Sequence, residues 1–249
     1  KMYSSLDLAY YNQGKQFPNT IVNNINSSID SVLLPSMASA QDDRARVKSM
    51  TRRSIKTSTY IMAPLMMGLA FCAKTIVQVV LTDKWLPCVP FLRIFCITYM
   101  FYPIHTANLN AIKAMGRSDY FLKLEIAKKI VGLGLLFSTM WFGVLAMAYS
   151  LLVNSVLSQI INSWPNRKLL NYGYLEQLKD ILPGISLAVF MGFCVSLTGL
   201  LHLSNGITLL IQIPFGAAVY IGMSAVLHLE SYEYLLDMVR QLLKKIVKK

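Results

Sequence analysis

Asn19, Asn23, Asn26 and Asp30 recur at spacings of four, three and four, which on an α-helix brings them to one face. Three amides and a carboxylate in a row can hydrogen-bond a hydroxylated or charged solute. Val22, Ile25, Ile29 and Val32 occupy another face of the same stretch. Further along, Arg93 is followed by Tyr102, His105 and Asn108 on roughly one side. The planar donor fork of Arg93 suits an anionic group, or its long stem lets the charge reach a headgroup layer. His105 can exchange protons near neutral pH, or sit neutral and bonded to a neighbouring carbonyl. Lys at i+4 after Glu125 allows a local ion pair between Glu125 and Lys129.

Other chemistries lack their signatures. Cys72, Cys88, Cys96 and Cys194 are scattered among apolar residues with no CxxC pair, and the three histidines form no HExxH. No metal site and no cofactor is expected. There is no GxxxxGK[ST], so ATP hydrolysis by this chain is not expected either. No loop is long enough to house a catalytic domain, which argues against a membrane-embedded enzyme such as a sugar polymerase. Glu176, Asp180, Glu230 and Glu233 read as isolated, solvated acids.

The elements that position these residues follow from the solvent. Of 249 residues, 55% are hydrophobic and 14% charged, with a mean hydropathy of +0.48. A soluble domain carries about a quarter charged residues, so most of this chain is expected to face lipid. A helix crosses the hydrocarbon in roughly 20 apolar residues. Ile181–Leu201 and Ile207–Leu229 each hold no acidic or basic side chain and read as two spans. The uncharged run Ile130–Asn166 is too long for one crossing and reads as a hairpin turning near Trp141, Phe142 and Gly143. Thr57–Leu81 and Pro87–Ala114 hold one span each, and Phe17–Ala40 a more polar one, which makes seven. Pro64, Pro103 and Pro214 mark places for bends. Gly184, Ala188, Gly192 and Ser196 form a small-residue stripe suited to close helix contact.

The net charge of +12 is distributed by side. Alternate connections collect Arg44, Arg46, Lys48, Arg52, Arg53 and Lys56, then Lys113, Arg117, Lys123, Lys128 and Lys129, then Arg167, Lys168 and Lys179. The tail adds Arg240, Lys244, Lys245, Lys248 and Lys249, whereas the other side keeps Lys1, Lys15, Lys74, Lys84 and Arg93. This is the positive-inside bias. QDDRARVKSMTRRSIK is therefore expected to be a cytoplasmic loop, the first residue periplasmic and the C-terminus cytoplasmic. No nucleic-acid partner is implied. Trp85, Trp141 and Trp164 fall at span ends, as interfacial anchors do. In Tyr232–Lys249, Leu235, Val239, Leu242 and Ile246 recur opposite a lysine-rich face, expected to lie on the inner leaflet and attract anionic lipids.

The segments LAYYNQGKQFPNTIVNNINSSIDSVLLPSMASAQDD, IMAPLMMGLAFCAKTIVQVVLTDKW and ANLNAIKAMGRSDYFLKLEIAKK, in this order, resemble the second half of bacterial polysaccharide flippases. These are proteins of the MATE-like MOP exporter superfamily. LTDKW departs from the glycine often found before KW. The resemblance implies an all-α membrane fold, this chain corresponding to the eighth to fourteenth of fourteen helices. It also implies a bundle over 1–170, two additional helices over 171–230 and a basic amphipathic tail over 231–249. The implied partners are a polyprenyl-pyrophosphate-linked oligosaccharide, membrane lipids and a missing N-terminal half, the chain beginning inside a longer protein. By the same implication, alternating access between two bundles would carry the sugar through a polar cavity in the inner membrane. Asp30 and the asparagine stripe would line that cavity, and Arg93 or His105 would supply positive charge. A MATE-like exporter of small cations and a truncated, non-transporting remnant are the alternative readings.

Overall fold

The computed structural model describes residues 3–201 and 203–247, with side chains at 201, 242, 243 and 245–247 outside the description. Ten α-helices follow one another without a strand among these residues. They are α1 (Ser5–Ala38), α2 (Arg44–Phe71), α3 (Ala73–Val80), α4 (Val89–Met100), α5 (Tyr102–Ala114), α6 (Ser118–Thr139), α7 (Val144–Leu169), α8 (Tyr174–Leu197), α9 (Asn205–Val226) and α10 (Glu230–Val247). α2 and α3 are one bent span, turned by 70° at Cys72, and α4 and α5 are another, broken at Phe101. With those pairs joined, seven long rods precede α10, as the hydropathy pattern requires.

Four of the rods are long and apolar enough to cross a membrane, or five if the bent α2–α3 pair is one span. α1 falls short because its asparagines and serines lower its hydropathy, and α6 because Lys123, Glu125, Lys128 and Lys129 lie inside its length. The physical consequence is that their polar faces must turn toward protein or water.

Local chemistry sets the boundaries. Ser4 caps α1 reciprocally: its hydroxyl accepts from the Asp7 amide at 3.1 Å and the Asp7 carboxylate accepts from the Ser4 amide at 3.2 Å. Asp43 caps α2 by accepting from the Arg46 amide at 3.0 Å. The stretch expected as a loop is thereby helical from Arg44 onward, a correction to the sequence reading. Pro64 and Pro214 lie inside continuous helices. The turn in α2–α3 falls at Cys72 instead, whereas the α4–α5 break sits just before Pro103. Gly143, at φ +104°, makes the α6–α7 hairpin at the expected place.

α2 and α8 form the axis of the bundle. Gly192 lies under the Phe71 ring and Gly184 beside Tyr60 and Tyr220, so the small-residue stripe is a packing face over Gly184, Ala188 and Gly192; Ser196 is exposed. α1 crosses α4 at Gly14, where an added Cβ would stand 2.7 Å from Phe91 Cβ and 2.8 Å from the Leu92 backbone nitrogen. Along the α2–α8 seam, Lys48, Arg52 and Lys56 recur every fourth residue and face the acids of the partner helix. Arg52 meets Asp180 at 2.7 Å and Glu176 at 3.4 Å, and Lys56 reaches Asp180 at 3.9 Å and also pairs with Glu230 of α10. Tyr172 donates to Asp180 at 2.8 Å. These acids are therefore partners in an ionic ladder rather than solvated singletons, and Asp180 is 7% exposed. Glu233 lies 3.2 Å from His228.

α10 lies against α2 and α9. Leu235 packs on the core, Val239 is half exposed and Arg53 sits 4.9 Å from the Tyr234 ring centroid. Leu242, Lys245, Ile246, Lys248 and Lys249, which complete the expected amphipathic pattern, lie outside the described side chains. Trp141 and Trp164 are exposed at the ends of rods, and Trp85 packs edge-on against Tyr10 at 5.9 Å.

Two outcomes follow for stability in detergent, read as the thermal midpoint of the fluorescently tagged protein by size exclusion. Gly14→Ala is expected to cost about 1–3 kcal/mol and more than Gly192→Ala. The atoms it meets are a Cβ and backbone, which cannot swing aside, whereas the Phe71 ring can rotate away. Asp180→Ala leaves Arg52 and Tyr172 without their shared acceptor. With Arg52 partly exposed, the expected loss is about 1–3 kcal/mol, below that of a fully buried pair.

Candidate functional site

The inward faces of α1, α4, α5, α6 and α7 enclose an open-sided polar cavity of about 740 Å³. α1 contributes Lys15, Asn23, Asn26, Ser27 and Asp30, the expected stripe extended by one turn at its start. α5 contributes Tyr102, His105, Asn110 and Lys113; α6 adds Glu125 and Lys128; α7 adds Asn154, Ser155, Ser158 and Asn162.

The eight residues singled out from sequence separate into two groups. Asn23, Asn26, Asp30, Tyr102 and His105 border the cavity. Asn19, Arg93 and Asn108 do not. Asn19 is half-buried, lying between Lys15 and Asn23 in sequence but apart from the cavity wall. Arg93 is exposed on another side of α4, where its Nε donates to the Ala70 carbonyl at 3.3 Å. Asn108 is fully buried in a knot of amides: it donates to Gln177 Oε1 at 2.8 Å and accepts from Asn166 at 2.7 Å and Gln177 at 3.0 Å. That knot ties α5 to α7 and α8, where a polar side chain in an apolar interior needs a partner.

Within the cavity, charge is partly cancelled. Asn110 donates to Asp30 at 2.6 Å. Lys128 pairs with Glu125 at 2.5 Å, so the ion pair forms at i+3 rather than with Lys129. Lys113 lies 4.8 Å from the Phe121 ring centroid. Three lysines against two carboxylates leave the lining with a positive balance. The cation supply expected from Arg93 thus comes from Lys15, Lys113 and Lys128. His105, buried at 9% exposure, meets the Asn162 side-chain amide at 3.0 Å and also bonds the Ser155 backbone. Its ring stands 5.7 Å from Tyr102.

Several polar atoms at the cavity wall have no hydrogen-bond partner in the protein: both amide atoms of Asn26 and the Oδ1 atoms of Asn154 and Asn162. An unmet buried amide costs about 1–3 kcal/mol, so these groups are suited to water or to a hydroxylated ligand. No cluster of three or more His, Cys, Asp or Glu suited to a metal ion occurs among the described residues.

The residues that the sequence reading passed over carried a signal. Asn154, Ser158, Asn162 and Asn166 recur every fourth residue within the run Ile130–Asn166. Counting charges alone hid this second polar stripe. Lys15 sits four residues before Asn19 on the helix already marked.

The architecture is an all-helical bundle with several membrane-length apolar rods. It matches the lipid II flippase MurJ in its inward closed conformation with a TM-score of 0.76, over 94% of this chain and 49% of that one, at 19% identity. The family model described as polysaccharide biosynthesis protein matches residues 1–90. Among curated proteins, the chain is 28% identical over 139 residues to an uncharacterized membrane protein in the cps region of Klebsiella pneumoniae, covering 55% of this chain and 29% of that protein. It is 23% identical over 219 residues to the teichuronic acid biosynthesis protein TuaB of Bacillus subtilis, covering 86% of this chain and 45% of TuaB. The lipopolysaccharide biosynthesis protein WzxC of Escherichia coli is 24% identical over 139 residues, covering 56% of this chain and 28% of WzxC. The chain thus spans less than half the length of each. These matches to proteins of polysaccharide biosynthesis and to the MurJ fold accord with the resemblance carried by YYNQ, APLMMGL, KW and MGR.

Placement of the cavity is testable in a cysteine-free, full-length protein. Asn23→Cys and Asp30→Cys are expected to react with a membrane-impermeant thiol reagent in opened vesicles. Asn108→Cys, sealed in the amide knot, should stay unlabelled; equal labelling at all three positions would contradict the arrangement.

Proposed function

We propose that this chain forms the C-terminal half of a bacterial inner-membrane transporter. The whole protein moves a polyprenyl-pyrophosphate-linked oligosaccharide from the cytoplasmic to the periplasmic leaflet. The observation that carries the reading is the open-sided polar cavity, with its positive balance and unpartnered amides, set within helices otherwise built for lipid. Amide and hydroxyl side chains suit sugar hydroxyls. Lys113 and Lys128 suit a pyrophosphate near the end of the bundle where α5 stops and α6 starts.

The ends of the helices support the orientation. Tyr3 bonds the α6–α7 turn at Gly143, and Lys48 at the start of α2 bonds Asn171 between α7 and α8 at 2.6 Å. The bundle therefore has two distinct ends, and the basic connections gather at the second. With the positive-inside bias, that second end is cytoplasmic and Tyr3 lies on the periplasmic side. The missing N-terminal half would close the open side of the cavity, and alternating access would arise between the two bundles. Residues 171–230 add two helices to the bundle of 1–170, and the basic tail at 231–249 meets anionic lipids of the inner leaflet. In this reading the protein is a transporter rather than an enzyme. A cavity biased toward lysines is ill-suited to a small-cation exporter.

The test is disruption of the complete gene in its own host. Surface polysaccharide is expected to disappear while lipid-linked saccharide accumulates on the cytoplasmic leaflet. Complementation with Lys113→Ala or Asp30→Ala in the full-length protein should lower export by about tenfold or more, one lost charged contact being worth roughly 1.4 kcal/mol. Arg93→Ala should export normally. Normal surface polysaccharide in the disruptant would overturn the transport reading.

A further inference from the structure

α1 and α9 expose surfaces of opposite character. α9 exposes Ile207, Leu210, Ile213, Phe215 and Ile221 and hides Thr208, Gln212 and Ser224. That is how a helix with lipid on one side is built. α1 does the reverse. It hides Gly14, Pro18 and Val22, and between Asn12 and Ser31 every exposed residue is polar. Of these, Asn23, Ser27 and Asp30 border the cavity, whereas Gln16, Thr20, Asn24, Ser28 and Ser31 lie outside its wall. The segment is at hydrocarbon depth. Tyr10, seated edge-on at Trp85 at 5.9 Å, marks one boundary, and about 20 residues of helix beyond it span about 30 Å, the thickness of the hydrocarbon.

Within this exposed face, Thr20, Asn24, Ser27 and Ser31 recur at spacings of four, three and four, the register of a line along which a second helix can lie. The hydroxyls on the line are spent on α1 itself. Thr20 donates to the Gln16 carbonyl at 3.0 Å, Ser27 to the Asn24 carbonyl at 3.1 Å and Ser31 to the Ser28 carbonyl at 2.9 Å. What these residues present outward is therefore small, which lets a neighbouring backbone approach closely. Asn24 differs: its side-chain amide makes no hydrogen bond among the described residues, so it requires a partner. Lipid offers neither a hydrogen bond for Asn24 nor any gain from small residues, and a protein helix offers both. The chain matches MurJ over 49% of that protein and TuaB over 45%, so more than half of a protein of their size lies outside residues 1–249.

We propose that the line Thr20, Asn24, Ser27 and Ser31 is the docking face for one transmembrane helix of the first half of the complete protein. That helix lies close against the three hydroxyl residues and presents an amide or hydroxyl group to Asn24. The proposal rests on the transport reading above, in which the first half belongs to the same protein. Ser27 stands both on this line and at the cavity wall, so the docked helix also forms the rim of the cavity there. α1 thus has two polar flanks with separate tasks, one toward the solute and one toward protein.

Two measurements on the complete protein test it, with a protease site placed in the connection ahead of Lys1. A photoreactive benzoylphenylalanine replacing Asn24 is expected, after illumination in membranes and cleavage, to hold the two halves together on a denaturing gel. The same group replacing Ile213, 64% exposed on the lipid side of α9, should leave the halves separable. In a cysteine-free background, Asn24→Cys should react with a membrane-impermeant thiol reagent about tenfold more slowly than Asn23→Cys, because the reagent reaches it only when the seam opens. Halves that separate with the probe at position 24 would overturn the docking face. So would a crosslink to a second copy of the protein, or labelling of Asn24→Cys as fast as that of Asn23→Cys. Surface polysaccharide retained in the gene disruptant would instead overturn the transport reading, and a crosslink between the halves would still establish the docking face.

Discussion

Inside a bilayer a polar side chain has no water to bond, so it must find a partner in the protein or border a wet space. Much of this structure follows from that constraint. α1 and α6 are too polar to be ordinary lipid-facing spans, and their polar faces turn toward one cavity. Where no room for water exists, the same constraint draws amides together: Asn108, Asn166 and Gln177 satisfy one another between α5, α7 and α8. A cavity and a knot thus answer one demand in two ways. Whether a given asparagine serves binding or packing depends only on which of the two it enters.

The basic residues divide in a comparable manner. Lys48, Arg52 and Lys56 belong to the topology signal, yet the structure also uses them as one side of a ladder facing Glu176, Asp180 and Glu230. The ladder runs along the seam where small residues let α8 lie close to α2, and it reaches the start of α10. Lys15, Lys113 and Lys128 do different work, giving the cavity its positive balance. Arg93, which looked suited to that task by residue type, bonds the Ala70 carbonyl on the outside of the bundle.

Much of the fold was legible without coordinates. The seven rods, the hairpin at Gly143 and the packing role of Gly184, Ala188 and Gly192 follow from apolar run length, charge spacing and four-residue periodicity. The charges of Arg44–Lys56 suggest a solvated loop, but the stretch is helical. Asp43 caps a helix there, and the charges it exposes meet α8. The cavity was half legible. The stripe Asn23, Asn26 and Asp30 was visible because Asp30 is costly in lipid, whereas Asn154, Ser158 and Asn162 went unnoticed in a run judged only by its lack of charge.

The sequence by itself determined that this chain is built largely of apolar rods, where those rods begin and end, and that α1 must hide a polar face. These properties depend on side-chain transfer energies and on helical periodicity, which are local. Tertiary structure alone decided that the face of α1 meets α5, α6 and α7 across a common cavity. It decided too that Arg93 and Asn108 stay out of that cavity, and that Asn110 rather than a cation takes Asp30. Those outcomes depend on the bend at Cys72, the helix break at Phe101 and the close approaches at Gly14 and Gly192, which are long-range contacts that no local pattern encodes.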